Sequence, residues 1–192
     1  MKLVMVDLSC GNVGSVRLAL QRMGVDPVVS ADADEIASAD KVILPGVGGA
    51  GFAMERIAAL GLREVLVSLT QPALGICIGM QLLFERSEEE GVDCLGLIPG
   101  EVRRLQPGPG VPVPHMGWSR VEVRDPQLGL VSGDYLYYAH SFACDDGPAT
   151  AATALHGRTI PAVVRRGNWL GAQFHPERSG EAGARFLKSF LQ

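Results

Sequence analysis

Short apolar runs and segments with helical spacing alternate along the first half of the chain. The apolar runs are continuous, which is typical of strands buried on both faces. They occupy residues 3–6, 42–44 and 73–76, and residues 25–29 are predicted as a further short strand. Helical patterns are found at residues 13–23 and 51–70, and a further helix is predicted at 80–86. This order of elements predicts an α/β fold with a mostly parallel sheet and helices on both faces.

The second half of the chain has a different pattern. Its segments are shorter, alternate between apolar and polar residues and are rich in turn residues, as at 118–123. This pattern predicts antiparallel strands added to the edge of the sheet. Four prolines predict an irregular segment over residues 106–114. The sequence contains neither an internal repeat nor a linker, so residues 1–192 are expected to form one domain.

Local signals mark the first and last helices. Asn12 is the predicted N-cap of the first helix, and Gly24 stands at the position where a glycine usually ends a helix. Ala182, Phe186 and Phe190 follow one another at intervals of four residues near the C-terminus. This spacing predicts a final amphipathic helix.

The composition argues against several classes of function. The net charge of −4 and the lack of a basic cluster argue against nucleic-acid binding, and no apolar stretch approaches the ~20 residues of a membrane span. The cysteines form no C-x-x-C pair and have no histidine at ligand spacing, so we predict no metal site and no disulfide framework. Cys10, Cys94 and Cys144 are interpreted as small buried residues. No cofactor is predicted, and the cytoplasm is the expected compartment.

The strongest chemical signal is the segment Gly75-Ile76-Cys77-Ile78-Gly79, between a predicted strand and a predicted helix. This is the layout of a nucleophile elbow with cysteine in place of serine. The glycines leave room for a tight turn, and the N-terminus of the following helix favours a thiolate. A buried structural cysteine after a strand is the alternative that this segment alone leaves open.

A second signal is the segment Phe174-His175-Pro176-Glu177, which follows another strand pattern. Residues two apart in an extended chain lie on one side, so Glu177 is expected to orient the imidazole of His175. A thiolate needs such a base to take its proton and return it to the leaving group. A solvated strand end is the alternative for this segment alone. Together with the cysteine elbow, a Cys77–His175–Glu177 triad is the better interpretation.

Attack on an amide also needs hydrogen-bond donors for the developing oxyanion. The predicted donors are the backbone amide of Ile78 and an amide of the glycine-rich turn 45–49. This turn follows a neighbouring strand and should lie at the same edge of the sheet. Glycine-rich turns also bind phosphates, but the chain has no G-x-G-x-x-G or G-K-S/T motif, which disfavours nucleotide binding.

The remaining histidines are assigned non-catalytic roles. His140 lies in an apolar and aromatic strand pattern and is interpreted as a hydrogen-bonded structural residue. His115 is placed in a loop and interpreted as a recognition residue. His156 precedes Gly157 and is placed in a hairpin turn.

These blocks together resemble the class I, or triad, glutamine amidotransferase family. The resemblance is carried by residues 75–81 and by residues 175–177, about a hundred residues later. Three further stretches resemble the glutaminase subunits of imidazole glycerol phosphate synthases, namely residues 45–48, 80–85 and 114–118. The order and spacing of the blocks agree over nearly the whole chain.

The resemblance implies a flavodoxin-like fold and hydrolysis of L-glutamine to glutamate and ammonia. It further implies a heterodimer with a (β/α)8 cyclase subunit, which uses the ammonia in histidine biosynthesis to form imidazole glycerol phosphate and AICAR. By position, Cys77 is implied to be the nucleophile, His175 the acid and base, and Glu177 the residue that orients His175.

The resemblance also implies roles for residues around the triad. The implied oxyanion donors are the amides of Val47 and Ile78. The implied substrate-binding residues are Gly46, Gly48, Gln81, His140 and Ser141. The implied contacts with the partner subunit are Asn12, Pro114, His115, Met116, Trp118 and Arg178.

Two positions depart from the family pattern. Phe142 stands where the family usually has an aromatic hydroxyl, and Arg178 stands where it often has lysine. One alternative function is a free-standing cysteine peptidase or hydrolase, but its relatives often place histidine directly after the nucleophile, where this chain has Ile78. A glutaminase subunit of another synthase is disfavoured by residues 114–118. A binding module without activity is disfavoured by the intact triad.

Overall fold

The computed structural model describes residues 1–9, 13–46 and 48–192 of the 192-residue chain. Its strands are β1 (Leu3–Val6), β2 (Val28–Ser30), β3 (Lys41–Gly46), β4 (Ala73–Cys77), β5 (Phe84–Ser87), β6 (Val92–Asp93), β7 (Ile98–Arg104), β8 (His115–Val123), β9 (Tyr135–His140), β10 (Phe142–Cys144), β11 (Thr150–His156), β12 (Arg158–Arg166) and β13 (Trp169–Ala172). Its α-helices are α1 (Val13–Arg22), α2 (Ala33–Ala37), α3 (Ala50–Ala59), α4 (Arg63–Ser68), α5 (Ile78–Gln81) and α6 (Gly180–Leu191). Short 3₁₀ helices lie at Pro126–Leu128 and Pro176–Arg178.

A large sheet runs through the described part of the chain, with the strand order β2-β1-β3-β4-β13-β12-β11-β8-β9. The strands from β2 to β13 in this order are parallel. The sheet then continues from β12 to β9 with antiparallel pairs. A smaller sheet has the order β10-β7-β5-β6. The predicted α/β fold, with a parallel sheet extended by antiparallel strands from the second half, is confirmed.

The apolar runs of the parallel strands supply two cores, one on each face of the sheet. Successive side chains of a strand point to opposite faces. In β1, Leu3 and Met5 join a core that includes residues of α1 and α6, whereas Val4 and Val6 join a core that includes residues of α2, α3 and α4. Helices therefore cover both faces, as expected for strands that read as continuous apolar runs.

One predicted helix is two helices in the structure. Residues 51–70 were expected to form a continuous helix, but α3 ends at Ala59 and α4 begins at Arg63. Gly61 lies between them with φ 66°, in the left-handed region that glycine adopts readily. Its N–H donates to the Ala58 carbonyl, as in a helix C-terminus. The apolar periodicity continues across this break, which is why the prediction missed it.

The helix predicted at residues 80–86 is wrong. Helix α5 ends at Gln81, and Phe84 begins strand β5. β5 is parallel to β7 and antiparallel to β6, and both pairings involve residues later in the chain. Pairing with distant strands overrides the local pattern here.

The ends of the first and last helices agree with their sequence signals. Gly24 has φ 80° after α1, as predicted for a residue that ends a helix. Ala182, Phe186 and Phe190 are buried on one face of α6. Asn12, the predicted N-cap, lies outside the described residues. Among the described residues, no helix has the length and apolar character needed to cross a membrane.

Candidate active site

Cys77 lies at the sharp turn between β4 and α5. Its backbone has φ 55° and ψ −107°, a conformation that costs a side-chain-bearing residue about 1–3 kcal/mol and is typical of functional sites. A Cβ at Gly75 would overlap the Gly79 carbonyl, and a Cβ at Gly79 would overlap the Leu44 carbonyl. The glycines on both sides of the cysteine are therefore required by close packing. The structure has the geometry of a nucleophile elbow.

His175 follows β13, which is the parallel neighbour of β4. Ala172 at the end of β13 pairs with Ile76, the residue before Cys77. Adjacent parallel strands end at the same edge of a sheet, so this pairing brings His175 to the elbow. His175 Nδ1 lies 2.9 Å from Glu177 Oε1, and the Glu177 side chain is fully buried.

The contact between His175 and Glu177 arises in a different way from the one expected. An extended strand was predicted to place both side chains on one side, but β13 ends at Ala172 and Glu177 lies in the 3₁₀ helix. Pro176 is the first residue of that helix, a position for which its fixed φ is suited. The chain therefore turns tightly after His175, and the turn brings the carboxylate back to the ring.

The pKa of His175 is raised to about 10. Burial by itself would lower this pKa, because it disfavours the charged ring. Hydrogen bonds from the ring to the Cys77 and Glu177 side chains, together with the negative charge of both groups, outweigh the burial. The ring is therefore an imidazolium at neutral pH.

A cavity of about 190 Å³ opens beside the elbow. Cys77 and Ile78 form one part of its wall, and the segment 139–142 forms another. Among the predicted substrate-binding residues, the cavity wall includes Gly48, Gln81, His140 and Ser141. The structure thus brings these residues together with the predicted nucleophile, and their binding roles stay predictions.

Two chain segments converge near the predicted oxyanion donor Ile78. Ile78 is the first residue of α5, so its N–H has no partner within the helix. Gly46 ends β3 against this residue, and a Cβ at Gly46 would lie 3.0 Å from Ile78 Cβ. Gly48 is exposed and has φ 110°, which favours glycine. Val47, the other predicted donor, lies outside the described residues.

Gln81 is fixed within the protein by its own side-chain amide. Its Nε2 donates to the Phe142 carbonyl oxygen at 2.8 Å and to Gln173 Oε1 at 3.1 Å. Gln81 and Gln173 are both buried. The sequence analysis did not single out Gln173. Its position between the apolar residues Ala172 and Phe174 was a usable signal for a buried polar side chain. The Gln81 contact ties α5 to the start of β10.

Glu89 is a second cavity residue that sequence reasoning missed. Its Oε2 accepts a hydrogen bond from the Ala50 N–H at 2.9 Å, at the first turn of α3. Burial raises the pKa of Glu89 against the opposing effect of this hydrogen bond, and the charge of Glu90 raises it further. The sequence held a signal for such a contact. Gly49 precedes α3 and has no side chain that could cap the helix, which leaves its first N–H groups for a side chain from elsewhere.

The predicted partner contacts divide into exposed and buried side chains. Pro114 is exposed, as are Met116 at 64% and Trp118 at 53%. His115 begins β8, contrary to the predicted loop, and its side chain is only 3% exposed. Strand alternation explains this difference, because His115 points to the core when Met116 and Trp118 point outwards. Its side chain therefore lies in the core and not on the predicted contact surface.

Arg178, another predicted partner contact, is exposed beside this surface. Its guanidinium lies 4.5 Å from the centre of the Tyr137 ring, within the range of a cation–π interaction. Tyr137 is paired with Trp118 across strands β8 and β9. The remaining predicted contact, Asn12, lies outside the described residues.

Two other cysteines have the environment expected of structural residues. Cys94 and Cys144 are buried and free. Burial raises the pKa of the Cys94 thiol to about 11 and that of the Cys144 thiol to about 12, so both are protonated at neutral pH. Cys10 lies outside the described residues.

Comparisons with known proteins agree with this geometry. The family model "Glutamine amidotransferase class-I" matches residues 4–192. "Imidazole glycerol phosphate synthase subunit HisH" from Xylella fastidiosa (strain Temecula1) is 50% identical to the chain over 100% of its length and 97% of the relative's. The subunit of the same name from Idiomarina loihiensis is 47% identical over 100% of this chain and 98% of its own.

A solved structure is also similar. A crystal structure described as a glutamine amidotransferase superposes with a TM-score of 0.76 and covers 98% of this chain and 96% of its own, at 20% identity. At that identity the similarity concerns the fold alone, and it agrees with the flavodoxin-like arrangement. The match of the family model over nearly the whole length, around an elbow cysteine joined to a His–Glu pair, shows that the chain belongs to the class I glutamine amidotransferase family.

Proposed function

We propose that the chain is the glutaminase subunit of imidazole glycerol phosphate synthase. It hydrolyses L-glutamine to glutamate and ammonia, and it works with the cyclase subunit in histidine biosynthesis. The observation that carries this proposal is identity of about 50% to HisH subunits over the full length of the chain. The cysteine elbow beside His175 and Glu177 supplies the chemistry that this function requires.

The first half of the proposed reaction releases ammonia. The Cys77 thiolate attacks the side-chain amide carbon of glutamine and forms a tetrahedral intermediate. The Ile78 N–H and the turn 45–49 donate hydrogen bonds to its oxyanion, and each such donor typically accounts for about 10²–10³ in rate. The His175 imidazolium gives its proton to the leaving nitrogen. The carbon–nitrogen bond then breaks, leaving a thioester on Cys77 and free ammonia.

The second half of the reaction restores the enzyme. Neutral His175 takes a proton from water, and the resulting hydroxide attacks the thioester. The carbon–sulfur bond breaks, glutamate leaves, and the Cys77 thiolate is again paired with the His175 imidazolium. Glu177 keeps the ring oriented and stabilises its positive charge in both halves, through the 2.9 Å contact with Nδ1.

Recognition of the amino-acid end of glutamine is assigned to the cavity wall. The Glu89 carboxylate is placed to attract the α-ammonium group, and binding of that cation would favour ionisation of a carboxyl whose pKa burial raises. Gly48, Gln81 and Ser141 are proposed to hold the rest of the substrate. Gly46 is proposed to keep the end of β3 close to the elbow.

The cyclase is proposed to dock on the exposed face of β8 and β9. Met116 and Trp118 are large apolar side chains on this face, and Pro114 and Arg178 lie beside it. Aromatic residues and arginine are enriched in the centres of protein interfaces. Asn12 stays a predicted contact. We place the complex in the cytoplasm, in agreement with the free thiols of Cys94 and Cys144.

The Cys77→Ala variant in complex with the cyclase tests the function. We expect its glutamine-dependent synthesis to fall to about 10⁻⁴ of wild type or less, because the nucleophile is lost. Synthesis supplied with ammonium salt should be unchanged, because ring closure occurs on the cyclase. Cys94→Ala is the matched control and should keep both activities. Glutamine-dependent synthesis at the wild-type rate in Cys77→Ala would refute the assignment.

A further inference from the structure

A chain of hydrogen bonds runs from the cavity wall into strand β8. His140 Nδ1 lies 2.8 Å from the Phe142 carbonyl oxygen. His140 Nε2 lies 3.0 Å from His115 Nδ1, and His115 Nε2 lies 2.8 Å from Ser119 Oγ. Residues of β8, β9 and β10 are thus joined through two imidazole rings.

The donor and acceptor of every hydrogen bond in this series follow from the Phe142 carbonyl at one end. A carbonyl oxygen only accepts, so His140 carries its proton on Nδ1 and, as a neutral ring, accepts at Nε2. His115 must then donate from Nδ1 and accept at Nε2, and Ser119 must donate its hydroxyl proton. Both rings are neutral at physiological pH. Burial lowers the pKa of His115 to about 3 and that of His140 to about 4, the latter against the hydrogen bond to Phe142.

Packing fixes the plane of the His115 ring. The ring stacks on Tyr138 with centroids 4.6 Å apart and on His156 with centroids 3.9 Å apart, and the planes are inclined by 15° and 16°. His156 is held by its own hydrogen bond, from Nε2 to the Pro112 carbonyl at 2.8 Å. Both faces of the His115 ring are therefore covered, and its edge is left for hydrogen bonding to His140 and Ser119.

We propose that His115 and Ser119 are positioning residues for the glutaminase reaction, which donate along the hydrogen-bond chain to Nε2 of His140 and so hold His140 and the cavity wall beside Cys77. This inference rests on the proposed function. Both ring nitrogens of His140 are engaged within the protein, so the ring acts on the wall and not directly on glutamine. The Phe142 carbonyl receives two hydrogen bonds, from His140 and from Gln81.

The part of the wall that these bonds hold is the crossing, the segment 139–142 in which the chain passes from the large sheet to the small one. His140 ends β9 in the large sheet, and Phe142 begins β10 in the small one. Ala139, just before the crossing, has its carbonyl oxygen 4.0 Å from Cys77 Sγ. A shift of the crossing would therefore move the atoms beside the nucleophile as well as those that contact substrate.

Strand β8 links this wall to the proposed docking surface. His115 and Ser119 lie on its inner side, whereas Met116 and Trp118 are exposed on its outer side. Side chains on opposite faces of one strand share a backbone. A partner docked on the outer side thus contacts the strand whose inner side fixes His140.

Ser119→Ala in complex with the cyclase is the first test. It removes the donor to His115 Nε2, and we expect kcat/KM for glutamine to fall about three- to tenfold, as for the loss of one neutral hydrogen bond. Ser119→Thr keeps the hydroxyl and should restore activity to within about twofold of wild type. Ser132→Ala is the matched control. The Ser132 hydroxyl oxygen accepts a hydrogen bond from the Val123 N–H of β8 but takes no part in the chain of hydrogen bonds through the histidines. Ammonium-dependent synthesis should be unchanged in all three.

The second test reads the tautomers directly and needs no enzyme activity. Long-range ¹H–¹⁵N spectra of the histidine-labelled chain should show His115 and His140 protonated on Nδ1. In Ser119→Ala, a fraction of His115 protonated on Nε2 should appear. An Nε2–H tautomer of His140 in the wild type would overturn the proposal, as would equal kcat/KM in Ser119→Ala and Ser132→Ala. A wild-type complex that hydrolyses no glutamine would refute the proposed function. The tautomers would still show whether the hydrogen bonds from Ser119 to His140 exist.

Discussion

The strained backbone of Cys77 predicts that the protein is more stable with glycine than with alanine at residue 77. Replacing alanine by glycine at a buried position normally destabilises a protein. At residue 77 the φ of 55° and ψ of −107° penalise any Cβ, and glycine removes this penalty of about 2 kcal/mol. Against it stand the loss of one buried carbon, about 0.8 kcal/mol, and the greater freedom of glycine in the unfolded chain, about 0.7 kcal/mol. Cys77→Gly should therefore be about 0.5 kcal/mol more stable than Cys77→Ala.

The matched reference is Ala172→Gly in the Cys77→Ala background. Ala172 is fully buried in β13, the strand next to the elbow, and it has no positive φ. Without strain to relieve, this change should cost about 1.5 kcal/mol. The two alanine-to-glycine changes should thus differ by about 2 kcal/mol, or about 4–8 °C in Tm for a domain of this size.

Thermal unfolding followed by circular dichroism, with all variants in one buffer, measures this difference. The comparison within a single background cancels the effect of removing the sulfur. If the change at residue 77 costs as much as the change at residue 172, the elbow stores no backbone strain and the reasoning is refuted. Catalysis does not enter the comparison, because both elbow variants lack the nucleophile.

Two further predictions concern the glycine behind the elbow and the base. Gly79→Ala should destabilise the protein by at least about 2 kcal/mol, because the new Cβ would overlap the Leu44 carbonyl. The control Gly14→Ala lies in open space on α1 and should stabilise the protein by about 0.5–1 kcal/mol. Equal effects of the two changes in urea unfolding would contradict the packing argument. Glu177→Gln should lower the pKa of His175 and move the alkaline limb of the kcat/KM profile down by about 1–3 pH units, because the protonated ring is the active acid. An unshifted limb, or more damage than in Cys77→Ala, would contradict the orienting role of Glu177.

The sequence predicted the parts of the fold that local patterns determine. Continuous apolar runs identified β1, β3 and β4, because these strands are buried on both faces of the sheet. The elbow was recognisable because glycines flank Cys77, although only Gly75 packs against the turn itself and Gly79 packs against the Leu44 carbonyl of β3. The region after Gln81 was wrong because β5 owes its existence to strands that follow it in the chain. A seven-residue pattern carries no information about such pairing.

The candidate site shows the same limit at the level of single side chains. The sequence placed Cys77 and His175 at one sheet edge, which depends only on strand order. It did not foresee the contact between the Glu89 carboxylate and the Ala50 N–H of α3, nor the buried contact between His115 and His140. These contacts join residues that are 39 and 25 positions apart and depend on how loops and strands fold back. The inward direction of His115 was available from alternation once residue 115 was assigned to a strand.

The buried histidines near Cys77 show how the partners of a ring decide its charge. Burial acts on His175 and His140 in the same direction, because it disfavours the charged form of each ring. His175 contacts a carboxylate and a sulfur that can carry negative charge, so it is protonated. His140 contacts a carbonyl and a neutral ring, and the positive charge of His175 lowers its pKa further. A neutral His140 whose nitrogens are both engaged offers no site for the catalytic proton. That proton therefore stays between Cys77 and His175 until the leaving amine of the substrate accepts it.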